Sequence, residues 1–508
     1  MSTKIGIIGG GISGLRCADV LLEQGFEVTI LEARDRLGGR MHQSVLPSGH
    51  VVDLGPNWIH GTDDNPILDL ANVTNTTTHS WEEDSNIFDE HGKLLSNGDE
   101  LSGIFWGIVM EAFKYSEQHG ANLDPNTSLW DFFIEKTAVM SKSTAEKEKA
   151  RLVLQVAEMW GAYIGTPITR QSLKFFWLEE CIDGENLFCA GTYQKILAEI
   201  ARAAEQRAII HVSTTVNKIE PTSTGAVVHT KNGPSFRFDE LVVTTPLGWL
   251  QKNKNVFSPE LPTRLSEAID AIGYGNLEKV YITFSRPFWL GADGQPVKKP
   301  LPGFTQWLHP SYAHEPASTK WNQEAVDLAT LPGSCAHPTL LFYIFGDQGS
   351  LIANKWKELN SEEERTAWLA KYFAPYLEKL PQYDPSSKDC IPIYCLATSW
   401  TADDLAGNGS YSNFPVGLKE GDRDIEVMRE GVPERHLWFA GEHTAPFVAL
   451  GTVTGAYWSG EKVADRITRK YRKESVVSDA VKGGGGIAGY YAAKPVNVRG
   501  FADDGLKE

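Results

Sequence analysis

The sequence predicts an α/β protein. One part is a doubly wound, Rossmann-like nucleotide-binding domain made of discontinuous segments, and the other is a domain of mixed sheet and helices threaded between them. Three observations carry this reading. A glycine-rich turn, Gly9-Gly10-Gly11-Ile12-Ser13-Gly14, lies between a short apolar strand and a helical stretch. Buried strand-like runs return far along the chain, at 241–245 before Pro246 and at Leu437–Phe439 before Gly441. The intervening chain holds amphipathic helices and further strands of its own.

The first strand is Lys4–Ile8, followed by the glycine turn, a helix to Gln24 and a second strand over 27–32. This is a G-x-G-x-x-G loop in its required context. Gly9 permits the tight turn, Gly11 lets backbone approach a pyrophosphate, and Gly14 lets the helix sit close to the sheet. The start of the helix, including Ser13, offers unpaired amides to phosphates. Glu32 closes the second strand, placed to accept hydrogen bonds from a ribose. The pattern predicts a dinucleotide site.

The next stretch is Glu32-Ala33-Arg34-Asp35-Arg36-Leu37-Gly38-Gly39-Arg40. It resembles the flavin-containing amine oxidases, the family of polyamine, monoamine and amino-acid oxidases. The resemblance implies FAD, with Glu32, Ala33, Arg34, Gly39 and Arg40 at the cofactor. Gly39 allows close approach, and the Arg40 guanidinium can neutralise a diphosphate. For Arg34 and Arg36 a solvated turn is the alternative.

Further along, 51–61 reads as a strand leading into a loop, and the Thr-rich stretch 71–100 as an exposed connection. Helices are predicted at 101–112 and 143–161, the second with Leu152, Val153, Val156 and Met159 facing inward. A helix to about Gln206, strands at 208–212 and 215–219, and the run ending at Pro246 return the chain to the nucleotide domain. A helix and the strand 277–284 follow, then a strand at 340–345 and helices at 361–380 and from Gly451 to about Lys470. The expected segments are 1–70, 188–285 and 391–470 for the nucleotide domain, and 71–187 and 286–390 for the substrate domain. Residues 474–508, with their Gly483-Gly484-Gly485-Gly486 run, are expected as a flexible or loosely docked tail.

A chain of 508 residues is long enough for two or more domains, and 42% apolar content is ordinary for a globular protein. The net charge of −17 argues against a nucleic-acid partner and is compatible with a cationic ligand. Six cysteines, without Cys-x-x-Cys or a metal spacing, predict no metal site and modestly favour a reducing compartment. No signal peptide and no apolar run of membrane-spanning length are read, so a cytoplasmic or organellar, non-secreted protein is expected, with no membrane partner.

The blocks 55–61, 277–289, 399–417 and 439–460 make the family resemblance specific, over roughly 4–470. Phe439-Ala440-Gly441-Glu442-His443 resembles the second cofactor block, which assigns Gly441 and Glu442 to FAD; the plain alternative for Glu442 is a capping carboxylate. Thr452 and Val453 open a helix resembling the one whose N-terminus faces the flavin. Val216 matches a segment that contacts adenine, or is simply a core β-branched residue. Trp58 matches a cofactor contact in the 55–61 block. Lys279 matches a lysine bonded through water to flavin N5; otherwise it snorkels from a strand edge. His60 stands where plant-type polyamine oxidases carry glutamate and animal and yeast ones histidine, and it could bind a substrate nitrogen. Trp400 and Tyr411 resemble residues on the substrate side of the flavin. The stretch 407–410 contains no cysteine, so non-covalent FAD is expected, and Thr452 falls where many members have a second cage tyrosine. Glu179, Glu180, Asp183 and Glu185 form an acidic cluster for a distal ammonium, or a solvated loop.

The resemblance implies oxidation of an amine to an imine by hydride transfer to flavin, hydrolysis of the imine, and reoxidation by dioxygen to hydrogen peroxide. A secondary amine of a polyamine is the favoured substrate. The alternatives are a monoamine or specialised amine, and a non-catalytic flavoprotein scaffold.

Overall fold

Lys4–Ile8 is apolar beyond its first residue and becomes the middle strand of a five-stranded sheet. Its neighbours are Glu27–Leu31 on one side and Glu240–Val243 on the other, flanked by Ile209–His211 and Leu437–Phe439. Every pairing in this sheet is parallel. Parallel strands need covering on both faces, which is why these short runs read as continuously apolar. Ile12–Glu23 packs its apolar side onto the sheet and beside Gln194–Arg207. The computed structural model describes residues 2–81, 85–140, 143–291, 303–313 and 321–482.

A second sheet has six strands in the order Tyr394–Ala397, Leu277–Thr283, Thr339–Phe345, Gln323–Asp327, Phe304–Trp307 and Ser85–Phe88. All its pairings are antiparallel except the last. Alternation along the strands separates two cores. Val280, Ile282, Phe342 and Ile344 face one, shared with Leu369 and Phe373 of the helix Glu362–Leu377. Tyr281, Leu341 and Tyr343 face the other, shared with Phe105 and Val109 of Gly98–His119 and with Val153 of Thr144–Ala157.

Several expectations are corrected by these pairings. Residues 71–100 are not a bare connection, because Ser85–Phe88 forms the edge of the mixed sheet. Leu277–Thr283 and Tyr394–Ala397, expected within nucleotide-domain segments, pair in the mixed sheet. The strand expected at 241–245 spans Glu240–Val243, and a separate short strand, Phe236–Phe238, precedes it. The helices Leu129–Met140 and Gly346–Glu358 have no counterpart in the sequence reading. Gly346–Glu358 begins directly at the end of a buried strand, and its Gly-Asp-Gln-Gly-Ser opening reads locally as a turn.

The chain divides into units 1–465 and 466–508. The helix Val453–Lys482 begins in the first and runs into the second. Residues 474–482, expected as tail, therefore continue a helix, while 483–508, including the second glycine run, lie outside the described residues. No helix among the described residues is long and apolar enough to cross a membrane.

Candidate cofactor and active site

Two stretches far apart in sequence meet at the end of the parallel sheet. Gly9 has φ +107° and turns the chain from strand to helix. A Cβ on Gly14 would lie 2.1 Å from the Gly9 carbonyl oxygen, so only glycine lets this helix approach. A Cβ on Gly11 would meet no protein atom within 4 Å, which leaves open space in front of the loop. The N-cap residue of Ile12–Glu23 is Gly11, and no side-chain cap is made there among the described residues. This is an anion cradle: open, lined by backbone, and at the positive end of a helix. Glu32 is buried and accepts from Gly10 N at 2.6 Å and Arg34 N at 2.7 Å, which sets the second turn against the first.

The late segment closes on the same place. Ser459 Oγ lies 2.8 Å from Ser13 Oγ and accepts from Gly441 N at 2.9 Å. Arg40 Nη1 donates to Glu442 Oε1 at 3.1 Å and to the Ser410 carbonyl at 2.5 Å. Burial alone would raise the Glu442 carboxyl, but Arg40, His443 and the Ser412 hydroxyl outweigh it and hold the group below its usual range. His443 is buried beside it, neither ring nitrogen hydrogen-bonded among the described residues, and burial lowers its pKa to about 4.

Next to this cradle, the loop after Val51–Asp53 is pinned by three side chains from the mixed-sheet region. Lys279 Nζ donates to the carbonyls of Gly55 and Asp53, Tyr281 OH donates to Asp53 O at 2.6 Å, and Trp400 Nε1 donates to Leu54 O at 3.0 Å. Lys279 is 5% exposed. Burial lowers its pKa and raises that of the nearby Asp53, each partly offset by attraction to the other. Tyr343 pairs with Lys279 across the strands, and its hydroxyl accepts from Trp58 Nε1 at 3.0 Å and donates to Asn57 Oδ1 at 3.1 Å. A buried, readily neutralised lysine thus stands beside an aromatic wall and a phosphate-type cradle.

The family model for flavin-containing amine oxidoreductases matches residues 12–468. The chain belongs to that family. Among curated relatives, probable polyamine oxidase 4 of Arabidopsis thaliana is 26% identical over 474 residues, covering 91% of this chain and 86% of the relative. The corticosteroid-binding protein of Candida albicans is 28% identical over 519 residues, covering 95% and 99%. The solved structure of wild-type putrescine oxidase bound to putrescine superposes with a TM-score of 0.66 at 18% identity, covering 92% of this chain and 99% of that one; this likeness concerns the fold.

The chain is therefore an FAD-dependent amine oxidoreductase. The cradle fits such a cofactor on its own chemistry: an open glycine turn, an uncapped helix start and the Arg40 guanidinium suit a diphosphate, and Glu32 suits a ribose.

Other amine-oxidase positions expected from the sequence are distributed as follows. Arg34 pairs with Asp403 at 2.8 Å, so its charge is used within the protein. Ala33 follows Glu32 at the turn, and a Cβ on Gly39 would lie 3.4 Å from Gly11 Cα. Val216 is 6% exposed in the strand Val216–Thr222 and pairs with Thr230. Thr452 Oγ1 donates to Ala449 O at 2.7 Å and accepts from Gly455 N at 2.9 Å, so it caps the helix beginning at Val453. A Cβ on the preceding Gly451 would lie 3.4 Å from the Tyr411 ring. Tyr411 OH donates to the Tyr163 carbonyl. His60 is partly buried, and burial lowers its pKa despite a bond to Asn186.

The acidic cluster does not act as one surface. Glu179 turns inward, with Oε1 unpartnered among the described residues and its pKa pushed up to about 8 by burial. Glu180 is exposed at the surface near Glu117 and Asp183; partial desolvation, then these two carboxylates, raise its pKa. Asp183 offers its backbone carbonyl to Thr62 N and Asp63 N, and Glu185 reaches the Ser80 hydroxyl. The cluster and the His60 loop are nevertheless neighbours, since Gly61 N donates to Asn186 Oδ1 at 3.1 Å.

Sequence reasoning missed Asp53, Ser459 and Glu278. Asp53 carried a signal, a carboxylate inside an apolar run, where it anchors Tyr193 N through both oxygens. Glu278 is buried and accepts from Thr398 and Thr401, fixing the backbone on each side of Trp400. Ser459 carried no local signal.

Proposed function

We propose that this enzyme oxidises a secondary amine of a polyamine, with Lys279, His60, Trp400 and Tyr411 forming the reaction site and Thr452, Glu179, Glu180 and Asp183 contributing to substrate binding. Cofactor contacts are assigned to Gly9, Gly11, Ser13, Gly14, Glu32, Ala33, Arg34, Gly39, Arg40, Trp58, Val216, Gly441, Glu442, Thr452 and Val453. The observation that carries the reading is the buried Lys279 ammonium, seated on the loop carbonyls of Asp53 and Gly55 and beside Tyr343. The polyamine preference draws on the acidic groups near the site and on relatives that bear that name.

Bound FAD supplies the two-electron acceptor and, through dioxygen, hydrogen peroxide. The chain's own residues orient and dehydrate the amine. Trp400 and Tyr411 supply aromatic faces for the alkyl chain. His60, held neutral by burial, can accept a hydrogen bond from a substrate nitrogen and leave the reacting amine unprotonated. Lys279 can orient a water and place positive charge where oxygen is reduced.

Lys279→Met tests the reading in stopped flow. Reoxidation by dioxygen is expected to slow about 100-fold, the scale of losing one positioned acid or electrostatic group, while FAD stays bound. An unaltered oxidative half-reaction would remove Lys279 from the site. For the reading as a whole, spermine or N-acetylspermine should bleach the bound flavin anaerobically and yield an aldehyde. Failure of every amine in a panel would instead favour a non-catalytic flavoprotein, a reading to which the relative named for corticosteroid binding lends support.

A further inference from the structure

Asp53 is a carboxylate at the end of the strand Val51–Asp53, and it is 1% exposed. Both of its oxygens are taken by donors. Oδ1 accepts from Gln43 Nε2 at 2.7 Å and from Tyr193 N at 3.2 Å, and Oδ2 accepts from Tyr193 N at 3.0 Å. Bonds that are all accepted suit the ionised form, which has nothing to donate. Tyr193 also reaches past it. The Tyr193 hydroxyl donates to the Trp58 carbonyl at 2.7 Å, so the residue just before Gln194–Arg207 brackets the loop from Asp53 to Trp58.

Lys279 and Tyr281 hold the same loop. Lys279 Nζ donates to the carbonyls of Asp53 and Gly55, and Tyr281 OH donates to Asp53 O at 2.6 Å. The Asp53 backbone thus seats the ammonium while its side chain is engaged by Gln43 and Tyr193. The remaining groups around this pair carry little charge. Tyr343, on the neighbouring strand, places its ring centroid 5.8 Å from Nζ. Burial holds the phenols of Tyr193, Tyr281 and Tyr343 and the Cys189 thiol in their neutral forms. Glu278, the preceding residue in the strand, gives its carboxylate to Thr398 and Thr401. Among the described residues, Asp53 is the charged group that acts on the lysine. A buried ammonium without a countercharge gives up its proton, because burial penalises the charged form.

We propose that Asp53 is a positioning residue for oxygen reduction: its clamped carboxylate supplies the countercharge that keeps Lys279 an ammonium, and its carbonyl fixes where that ammonium sits. This rests on the reading that places Lys279 at the reaction site, and it assigns the setting of that lysine's charge to a second residue.

Asp53→Asn removes the charge and keeps the shape. The amide oxygen still accepts from Tyr193 N, and the Gln43 amide can turn to accept from the new nitrogen. The FAD-loaded enzyme is titrated to full reduction with dithionite, so no amine is needed, and reoxidation by dioxygen is followed in stopped flow across pH. In the native enzyme the rate should fall as pH rises and Lys279 loses its proton. Attraction to Asp53 holds that proton on, so Asp53→Asn should move the fall to lower pH by about one pH unit or more, the scale for losing a nearby opposite charge. Below the fall the two rates should agree. An equal slowing at every pH, with the fall in its native place, is what a merely structural role gives and overturns the proposal.

Heating supplies a readout without turnover. At neutral pH the midpoint of flavin release should drop in Asp53→Asn, which leaves the ammonium unpaired. It should rise when Asp53→Asn is added to Lys279→Met, where the carboxylate is the unpaired group. Shifts of the same sign in both backgrounds overturn the pairing. A native reoxidation rate in Lys279→Met would instead sink the reaction-site reading; opposite signs in the melts would then still sustain the Asp53–Lys279 pairing, and like signs would overturn it. Should Asp53→Asn not retain FAD, Gln43→Leu removes one donor from the same carboxylate and weakens its ionised form. The fall should then move to lower pH by a smaller step, and a fall left in place overturns the proposal.

Discussion

At the end of the parallel sheet, Arg40 and Glu442 meet at 3.1 Å and each has further partners. On the face of the mixed sheet, Asp53, Lys279 and Glu324 are equally buried, yet burial pushes each toward its neutral form. The first region neutralises charge internally and leaves its backbone amides for a ligand. The second leaves its ionisable groups unbalanced, which is where reactivity and selectivity are expected. Holding a cofactor calls for a rigid, satisfied frame; turning over a substrate calls for groups whose charge the substrate can change.

The sharpest way to break this contrast is to remove the satisfied pair. Glu442→Ala leaves Arg40 without its buried carboxylate, and breaking such a pair costs about 3–5 kcal/mol. FAD retention on gel filtration is expected to fall about 100-fold or more on that scale, with Glu442→Gln intermediate because it still accepts from Ser412. Full FAD retention by Glu442→Ala would mean the pair supports only the protein.

A pH series probes the unbalanced region. The Glu324 pKa is raised to about 7 in the folded chain from an ordinary value of 4.5. Its contribution to stability is therefore fully present below about pH 4.5 and lost as pH rises through 7. The ligand-free fold carries the resulting penalty above pH 7, up to about 3 kcal/mol from that shift. Glu324→Gln removes the ionisation and keeps the Gln306 contact. Its denaturation midpoint should exceed the native one at pH 8 and converge with it near pH 4.5. A gap that does not vary with pH would contradict the assignment of Tyr163, Tyr343 and Gln306 as the groups surrounding this carboxylate.

The two regions also differed in how far they could be read from the residues. The cradle rests on backbone conformation, and glycines at Gly9, Gly11 and Gly14 announce such conformations locally, as does the spacing to Glu32. The partners that lock it are long-range: Ser459 joins Ser13 to Gly441 across most of the chain, and nothing near Ser459 in sequence marks it. The mixed sheet was harder. Gln323–Asp327 is buried on both faces, so its alternation says little about which side Glu324 takes. Only the register against Thr339–Phe345 puts Glu324 in the Lys279 row. The acidic run 179–185, conspicuous in sequence, proved to be split, because the chain leaves a short helical turn at Glu179 and faces solvent by Glu185.

Two glycines of the one loop separate fold from function within the cradle. Gly14→Ala would press a methyl against the Gly9 carbonyl, 2.1 Å from its Cβ position, and overpacking of this kind costs about 1–3 kcal/mol. Gly11→Ala meets no protein atom. Thermal melts of ligand-free protein should thus fall for Gly14→Ala and stay near native for Gly11→Ala, while FAD titration weakens in both. A stable Gly11→Ala protein with native FAD affinity would place the diphosphate elsewhere.

The smallest expected effect lies where the cradle helix approaches the aromatic wall, at Thr452. Its hydroxyl satisfies Gly455 N and the Ala449 carbonyl, so it serves as an N-terminal cap for Val453–Lys482. Thr452→Ala should cost about 1 kcal/mol of stability, read from denaturant midpoints, and Thr452→Ser should restore most of it. Because Gly451 holds the helix start against the Tyr411 ring, a loosened cap would also let that ring shift. KM for the amine would then rise a few-fold in Thr452→Ala and recover in Thr452→Ser, in step with stability. If Thr452→Ser recovers stability while KM stays raised, the threonine methyl touches substrate directly and Thr452 belongs to the wall; if both recover together, it belongs to the frame.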